Sequence, residues 1–133
     1  MPSLESQPSG DPKKILLVED NPDILETIEA TLSLRNFRVT SLTEGSQVMS
    51  TVVRDRPDLI IMDVTIPKPD GYELCRELKA ESQTRDIPII LMSAKTQRTE
   101  VELGFKMGAD RYITKPFLNE DLLKTVASIF QKK

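Results

Sequence analysis

The sequence predicts an α/β fold, a doubly wound five-stranded parallel sheet with helices on both faces. Three observations lead there. Short, wholly apolar runs (Ile15-Leu16-Leu17-Val18, Leu59-Ile60-Ile61-Met62 and Ile89-Ile90-Leu91-Met92) have the composition of strands buried on both sides. Segments with apolar residues at helical spacing alternate with these runs. The alternation occurs five times in roughly 120 residues, which is the signature of strand–helix units joined by right-handed crossovers.

Each element has its own warrant. The first strand stops at Glu19-Asp20; Asn21 then offers a helix N-cap, Pro22 suits the first helical position and Asp23 favours the first turn. Ile24, Leu25, Ile28 and Leu32 share one face of that helix. Phe37 to Leu42 intersperses polar with apolar residues, as at a sheet edge, and Val48, Met49, Val52 and Val53 make the stripe of the second helix. Pro57 precedes the third strand, which delivers Asp63 at its end. A loop with Pro67, Pro69 and Gly71 leads to a helix bearing Leu74, Cys75 and Leu78 on one side. Pro88 precedes the fourth strand, which ends at Ser93, and a more polar helix runs from Arg98 to Met107. Tyr112-Ile113-Thr114 is the fifth strand, followed by Lys115-Pro116-Phe117 and a last helix capped by Asn119, with Leu122, Val126, Ile129 and Phe130 facing inward. Met49, Met62 and Met92 read as core residues.

Composition narrows the function. The 133 residues suit one domain, and 38% hydrophobic residues are enough to bury a core. Aromatics make up 5% and Trp is absent, so the core rests on aliphatic side chains. There is no histidine, which removes His-based acid–base catalysis and most zinc sites. Cys75, the single cysteine, has no partner for an internal disulfide and no histidine to activate it. A net charge of −3 gives no field for a nucleic-acid backbone or an anionic membrane, so no direct nucleic-acid contact and no membrane insertion are expected. Residues 1–12 lack the pattern of a secretory signal, and their prolines, serines and glycine suggest a flexible head outside a domain of residues 13–133. The default location is the cytoplasm.

The polar residues that break the strand pattern collect at strand carboxyl ends, where ligands bind in sheets of this class. Glu19 and Asp20 follow the first strand, Asp63 ends the third, Ser93 ends the fourth and Lys115 follows the fifth. If the first and third strands are neighbours, three carboxylates converge. Their mutual repulsion calls for a hard divalent cation, and Mg²⁺ suits a few carboxylates, several waters and a phosphate oxygen. Lys115 supplies a second positive charge able to contact a phosphoryl group, and Ser93 can donate a hydrogen bond to the same group.

The segments KKILLVEDNPD, LIIMDVTIPKPDGYEL, PIILMSAK and GADRYITKPF, in this order, resemble the receiver domain of two-component response regulators, chemotaxis regulators among them, over Lys13 to Phe130. The resemblance implies a flavodoxin-like strand order 2-1-3-4-5. It implies that Asp63 accepts a phosphoryl group from a histidine kinase or a histidine phosphotransfer protein, with Mg²⁺ held by Glu19, Asp20, Asp63 and the Thr65 carbonyl. It further implies that Ser93 and Tyr112 form a conformational switch, that Lys115 contacts the phosphoryl group, and that a cis bond precedes Pro116. Pro67 and Gly71 shape the loop after Asp63. The implied chemistry is in-line attack by Asp63 on phosphorus, after which Ser93 moves toward the adduct and Tyr112 fills the space left.

Taken singly, each of these residues has a plainer reading. An acidic pair after a strand often starts a helix, Asp63 suits a turn, and a strand tyrosine is commonly packing. Their joint arrangement favours the switch. An aspartyl-phosphate enzyme usually needs a second acid two positions on, where this chain has Thr65. A nucleotide site would meet Glu19-Asp20 instead of an amide-rich loop. A degenerate receiver that binds a partner constitutively is the stronger rival. With the chain ending at Lys133, output is expected through a protein target, and Lys106, Arg111 and Lys124 are candidate contacts. Asp110-Arg111 and Thr125 depart from the pattern of regulators that pair through the fourth and fifth helices, so a monomer or weak dimer is expected.

Overall fold

Strands apolar at every position can only be satisfied in the middle of a sheet covered on both faces, and the structure, a computed structural model, puts them there. It describes residues 12–67 and 69–131; the expected flexible head therefore lies almost wholly outside the described residues. The elements alternate as β1 (Lys14–Val18), α1 (Pro22–Ser33), β2 (Arg38–Leu42), α2 (Val48–Asp55), β3 (Leu59–Asp63), α3 (Gly71–Ala80), β4 (Ile89–Ser93), α4 (Arg98–Lys106), β5 (Arg111–Thr114) and α5 (Asn119–Phe130), with a 3-10 turn at Gly45–Gln47 ahead of α2. All strands are parallel in the order β2-β1-β3-β4-β5. The predicted fold class and strand order are both observed.

Alternate strand residues divide the core in two. Leu16, Val18, Ile60, Met62, Ile89 and Leu91 pack with α2 and α3, whereas Ile15, Leu17, Leu59, Ile61, Ile90 and Met92 pack with α1 and α5. β3 and β4 are buried at every position, and each fully buried aliphatic side chain contributes roughly 1.5–3 kcal/mol. Asn21 caps α1 as expected, its Oδ1 accepting from the Asp23 and Ile24 amides at 2.9 and 3.1 Å. The expected Asn119 cap of α5 is not found. The helix starts one residue earlier in register, so Leu118 holds the cap position without a side-chain bond, and Glu120 and Asp121 supply the favourable charge in the first turn instead. In α2 the stripe turns slightly from the expected one: Val53 is exposed and Thr51 is buried in its place.

Register brings the strand ends level. Val18 pairs with Met62, so Glu19 and Asp63, one residue further on, emerge side by side. The pairing of Asp63 with Met92, and of Ser93 with Thr114, continues the same edge across to Lys115.

Candidate functional site

At this edge a lysine sits between two buried acids. Lys115 Nζ donates to Glu19 Oε1 at 2.8 Å and to Asp63 Oδ2 at 3.1 Å. The Glu19 and Asp63 side chains are 1% and 4% exposed, so neither carboxylate can rely on water. Asp20 is exposed beside them, and carboxylate oxygens of Glu19, Asp20 and Asp63 lie within 4.8 Å of one another. Burial pushes the Glu19 carboxyl above its usual range; the Lys115 and Asn21 hydrogen bonds oppose this, and the Asp63 charge adds to it. For Lys115, burial acts downward, but the hydrogen bonds and charges of Glu19 and Asp63 outweigh it and hold the ammonium form.

Thr65 follows on the loop, its amide 3.4 Å from Asp63 Oδ1 and its hydroxyl 3.3 Å from Asp63 Oδ2. The loop itself is shaped by close backbone approaches. Gly71 donates to the Val64 carbonyl at 2.9 Å, and a Cβ on Gly71 would lie 2.6 Å from the Asp63 carbonyl oxygen. Gly45, which the sequence reading passed over, lies under the same loop; a Cβ there would sit 2.1 Å from the Pro69 carbonyl oxygen, and its amide is 3.4 Å from that of Pro67. Two glycines are therefore needed for the loop to lie this close. The peptide bond between Lys115 and Pro116 is cis.

Ser93 is fully buried, and its Oγ accepts from the Lys95 amide at 2.9 Å. Its carbonyl accepts the Lys115 amide at 2.8 Å. Tyr112 is half-buried on β5, its hydroxyl donating to the Lys95 carbonyl at 3.1 Å and its ring lying against Gly104. Tyr72, which the sequence reading did not single out, adds a second hydroxyl 3.3 Å from that of Tyr112. Asp110 was also missed as a structural residue: its Oδ2 accepts from the Ile89 amide at 2.9 Å and from Lys79 Nζ at 3.0 Å. Of the three candidate partner contacts, Lys106 and Lys124 are exposed, whereas Arg111 is half-buried and engaged with Ser128 Oγ at 3.2 Å. Burial raises the Cys75 thiol to about 11, with Lys79 pulling it down and Asp110 pushing it up, so Cys75 is a protonated core side chain.

Three carboxylates against one ammonium leave two negative charges uncompensated at the site. Glu19 and Asp63 are too buried to share that excess with solvent. The donor set is all oxygen, of which a hard divalent cation is the natural complement. Comparison with known proteins agrees with this arrangement. A family model described as response regulator receiver domain matches residues 15–127. The chain belongs to the response regulator receiver family.

The receiver is 36% identical to the DNA-binding response regulator MtrA of Mycolicibacterium smegmatis, over 86% of this chain and 49% of that protein. Its structure is similar to that of the chemotaxis response regulator CheY4 of Vibrio cholerae, with a TM-score of 0.84, 29% identity, and coverage of 89% of this chain and 98% of that one. It is also similar to the receiver domain of a Pseudomonas aeruginosa sensor histidine kinase whose structure carries a magnesium ion in the active-site cleft: TM-score 0.84, 35% identity, coverage 91% and 99%. The receiver is thus a two-component signalling domain, and its relatives are regulators. It spans about half the length of the curated relatives it matches.

The expectation of no direct nucleic-acid contact is overturned by these relatives, several of which are DNA-binding or transcriptional regulators by name. The net charge of −3 describes this chain alone, which spans only about half the length of those relatives, so it is no guide to nucleic-acid contact by such proteins. Nor does the end of the chain at Lys133 limit how output is delivered. Among the described residues no helix is long and apolar enough to cross a membrane.

Proposed function

We propose that this receiver is a phosphorylation switch in which Asp63 accepts a phosphoryl group from the phosphohistidine of a cytoplasmic kinase or phosphotransfer protein. The observation that carries the reading is Lys115 Nζ bridging Glu19 and Asp63 at 2.8 and 3.1 Å beside the exposed Asp20. The nucleophile, a cation aimed at its oxygen and a cation-deficient acidic pocket lie together at one sheet edge.

An Asp63 oxygen attacks phosphorus in line, the P–N bond to the donor imidazole breaks, and that nitrogen leaves with the electron pair and takes up a proton. Lys115 is already within reach of the oxygens that gain charge. Glu19, Asp20, Asp63 and the Thr65 carbonyl would hold Mg²⁺, which when bound neutralises charge on the transferring group. Ser93 and Tyr112, joined to the same loop through Lys95, are the pair that carries the change outward. The output on this reading includes a nucleic-acid target, as the names of the relatives indicate for those proteins.

Intact mass after incubation with Mg²⁺ and acetyl phosphate tests this. One phosphoryl addition is expected, lost in Asp63→Asn and lost when the metal is chelated. Unaltered mass with every donor tried would favour a receiver that binds its partner constitutively.

A further inference from the structure

Two tyrosines, the only two in the sequence, hold one weakly packed segment from opposite ends. The segment runs from Ala94 to Glu100, between β4 and the first turn of α4. Its residues 94–99 are all exposed, so no buried side chain ties it down. Polar contacts do so instead. The Lys95 amide donates to Ser93 Oγ at 2.9 Å, and the Lys95 carbonyl accepts from the Tyr112 hydroxyl at 3.1 Å. At the other end the Tyr72 hydroxyl lies 3.0 Å from the Glu100 carbonyl and 3.2 Å from Glu100 Oε1.

A phenol has one proton to give. With the Tyr112 proton on Lys95 and the Tyr72 proton on Glu100, the 3.3 Å contact between the two hydroxyl oxygens carries none. The two rings therefore act as separate staples, one from β5 onto the start of the segment and one from α3 onto its end. Tyr72 is well placed for this. Its ring is in the core formed with α2 and α3, and only its hydroxyl end reaches the segment. Burial, then the neighbouring Tyr112 hydroxyl, then Glu100 hold its ionisation far above the ordinary phenol range, so it remains a neutral donor.

We propose that Tyr72 is a positioning residue of the switch, a latch from α3 that holds the amino end of α4 in place. The inference rests on the reading of Ser93 and Tyr112 as the moving pair, and it adds a third residue on the well-buried α3. Ser93 and Tyr112 act at Lys95 and Tyr72 acts at Glu100, so the segment is held at both ends and the position of α4 depends on both attachments. One net hydrogen bond changes a two-state balance by roughly three- to tenfold.

The test is amide hydrogen exchange in wild type and Tyr72→Phe, with and without Mg²⁺ and acetyl phosphate, and with intact mass recorded for every sample. Tyr72→Phe keeps the buried ring, and unchanged exchange in β3 verifies the fold. Without donor, the variant is expected to exchange the Val101 to Phe105 amides three- to tenfold faster than wild type, and the factor by which phosphorylation changes them should differ from that in wild type. Equal α4 exchange in the two proteins overturns the latch even where phosphoryl addition is normal. Absence of phosphoryl addition in wild type overturns the switch reading instead, and the donor-free comparison still decides whether Tyr72 fastens α4.

Discussion

α3 and α4 both belong to the helices that clothe this sheet, yet they are held in opposite ways. α3 buries Gly71, Tyr72, Leu74, Cys75 and Leu78, while α4 buries Gly104 alone and leaves Leu103 and Phe105 36% and 48% exposed. Apolar area is non-directional and cannot be exchanged for an alternative partner without a large loss. Hydroxyl contacts are directional, contribute about 1 kcal/mol each, and are easily replaced by others. The helix that follows the Asp63 loop is therefore fixed, and the helix two elements later is adjustable. A phosphoryl group adds charge and acceptor oxygens but little apolar area. It can compete with the second kind of attachment and not with the first.

The contrast can be broken by mutation. Leu78→Ala, in the fully buried stripe of α3, should cost about 2–5 kcal/mol by urea unfolding. A loss under 1 kcal/mol would show that α3 is no better packed than α4. Next in size is Asp110→Ala. It strips the Ile89 amide of its acceptor and Lys79 of its ion pair, and should cost about 1–3 kcal/mol in the same measurement. Asp110→Asn, which keeps an acceptor oxygen, should recover part of it. Leu103→Ala on α4 should change stability by no more than about 0.5 kcal/mol, as expected of a surface side chain. A cost near that of Leu78→Ala would mean that α4 is seated as firmly as α3 and would remove the basis for an adjustable helix.

What could be read from the sequence follows from how local each cause is. Continuous apolar runs specify strands buried on both faces whatever surrounds them, so β1, β3 and β4 were legible, as was the Asn21-Pro22 start of α1. Glu19, Asp63 and Lys115 could be placed together because each stands at the carboxyl end of a strand, where a sheet of this class binds its ligands. The failures are non-local. Whether Val53 or Thr51 faces inward depends on a small rotation of α2 set by the sheet below it. Asn119 has the right chemistry for a cap, but the turn that leads into α5 puts Leu118 at the cap position and Asn119 already inside the helix. Tyr72 and Asp110 act on residues 28 and 21 positions away, and Gly45 on a loop from another unit, so no window of sequence contains both partners. Nucleic-acid contact could not be judged from composition, because net charge does not say where charge is concentrated.

The amide of Lys115 donates to the carbonyl of Ser93 at 2.8 Å, and this has a geometric consequence. The ammonium that contacts the acids and the hydroxyl that meets the loop are carried by adjacent rungs of one ladder. They resemble the jaws of a calliper, with an opening set by the backbone. Asp110 fixes the other end of the same two strands, its amide donating to the Ile89 carbonyl at 2.8 Å while its carboxylate takes the Ile89 amide. Clamped at both ends, β4 cannot slide past β5 to accommodate whatever is attached to Asp63. On the proposed reading an adduct would be gauged against a fixed gap, and the misfit passed to the exposed segment that follows Ser93.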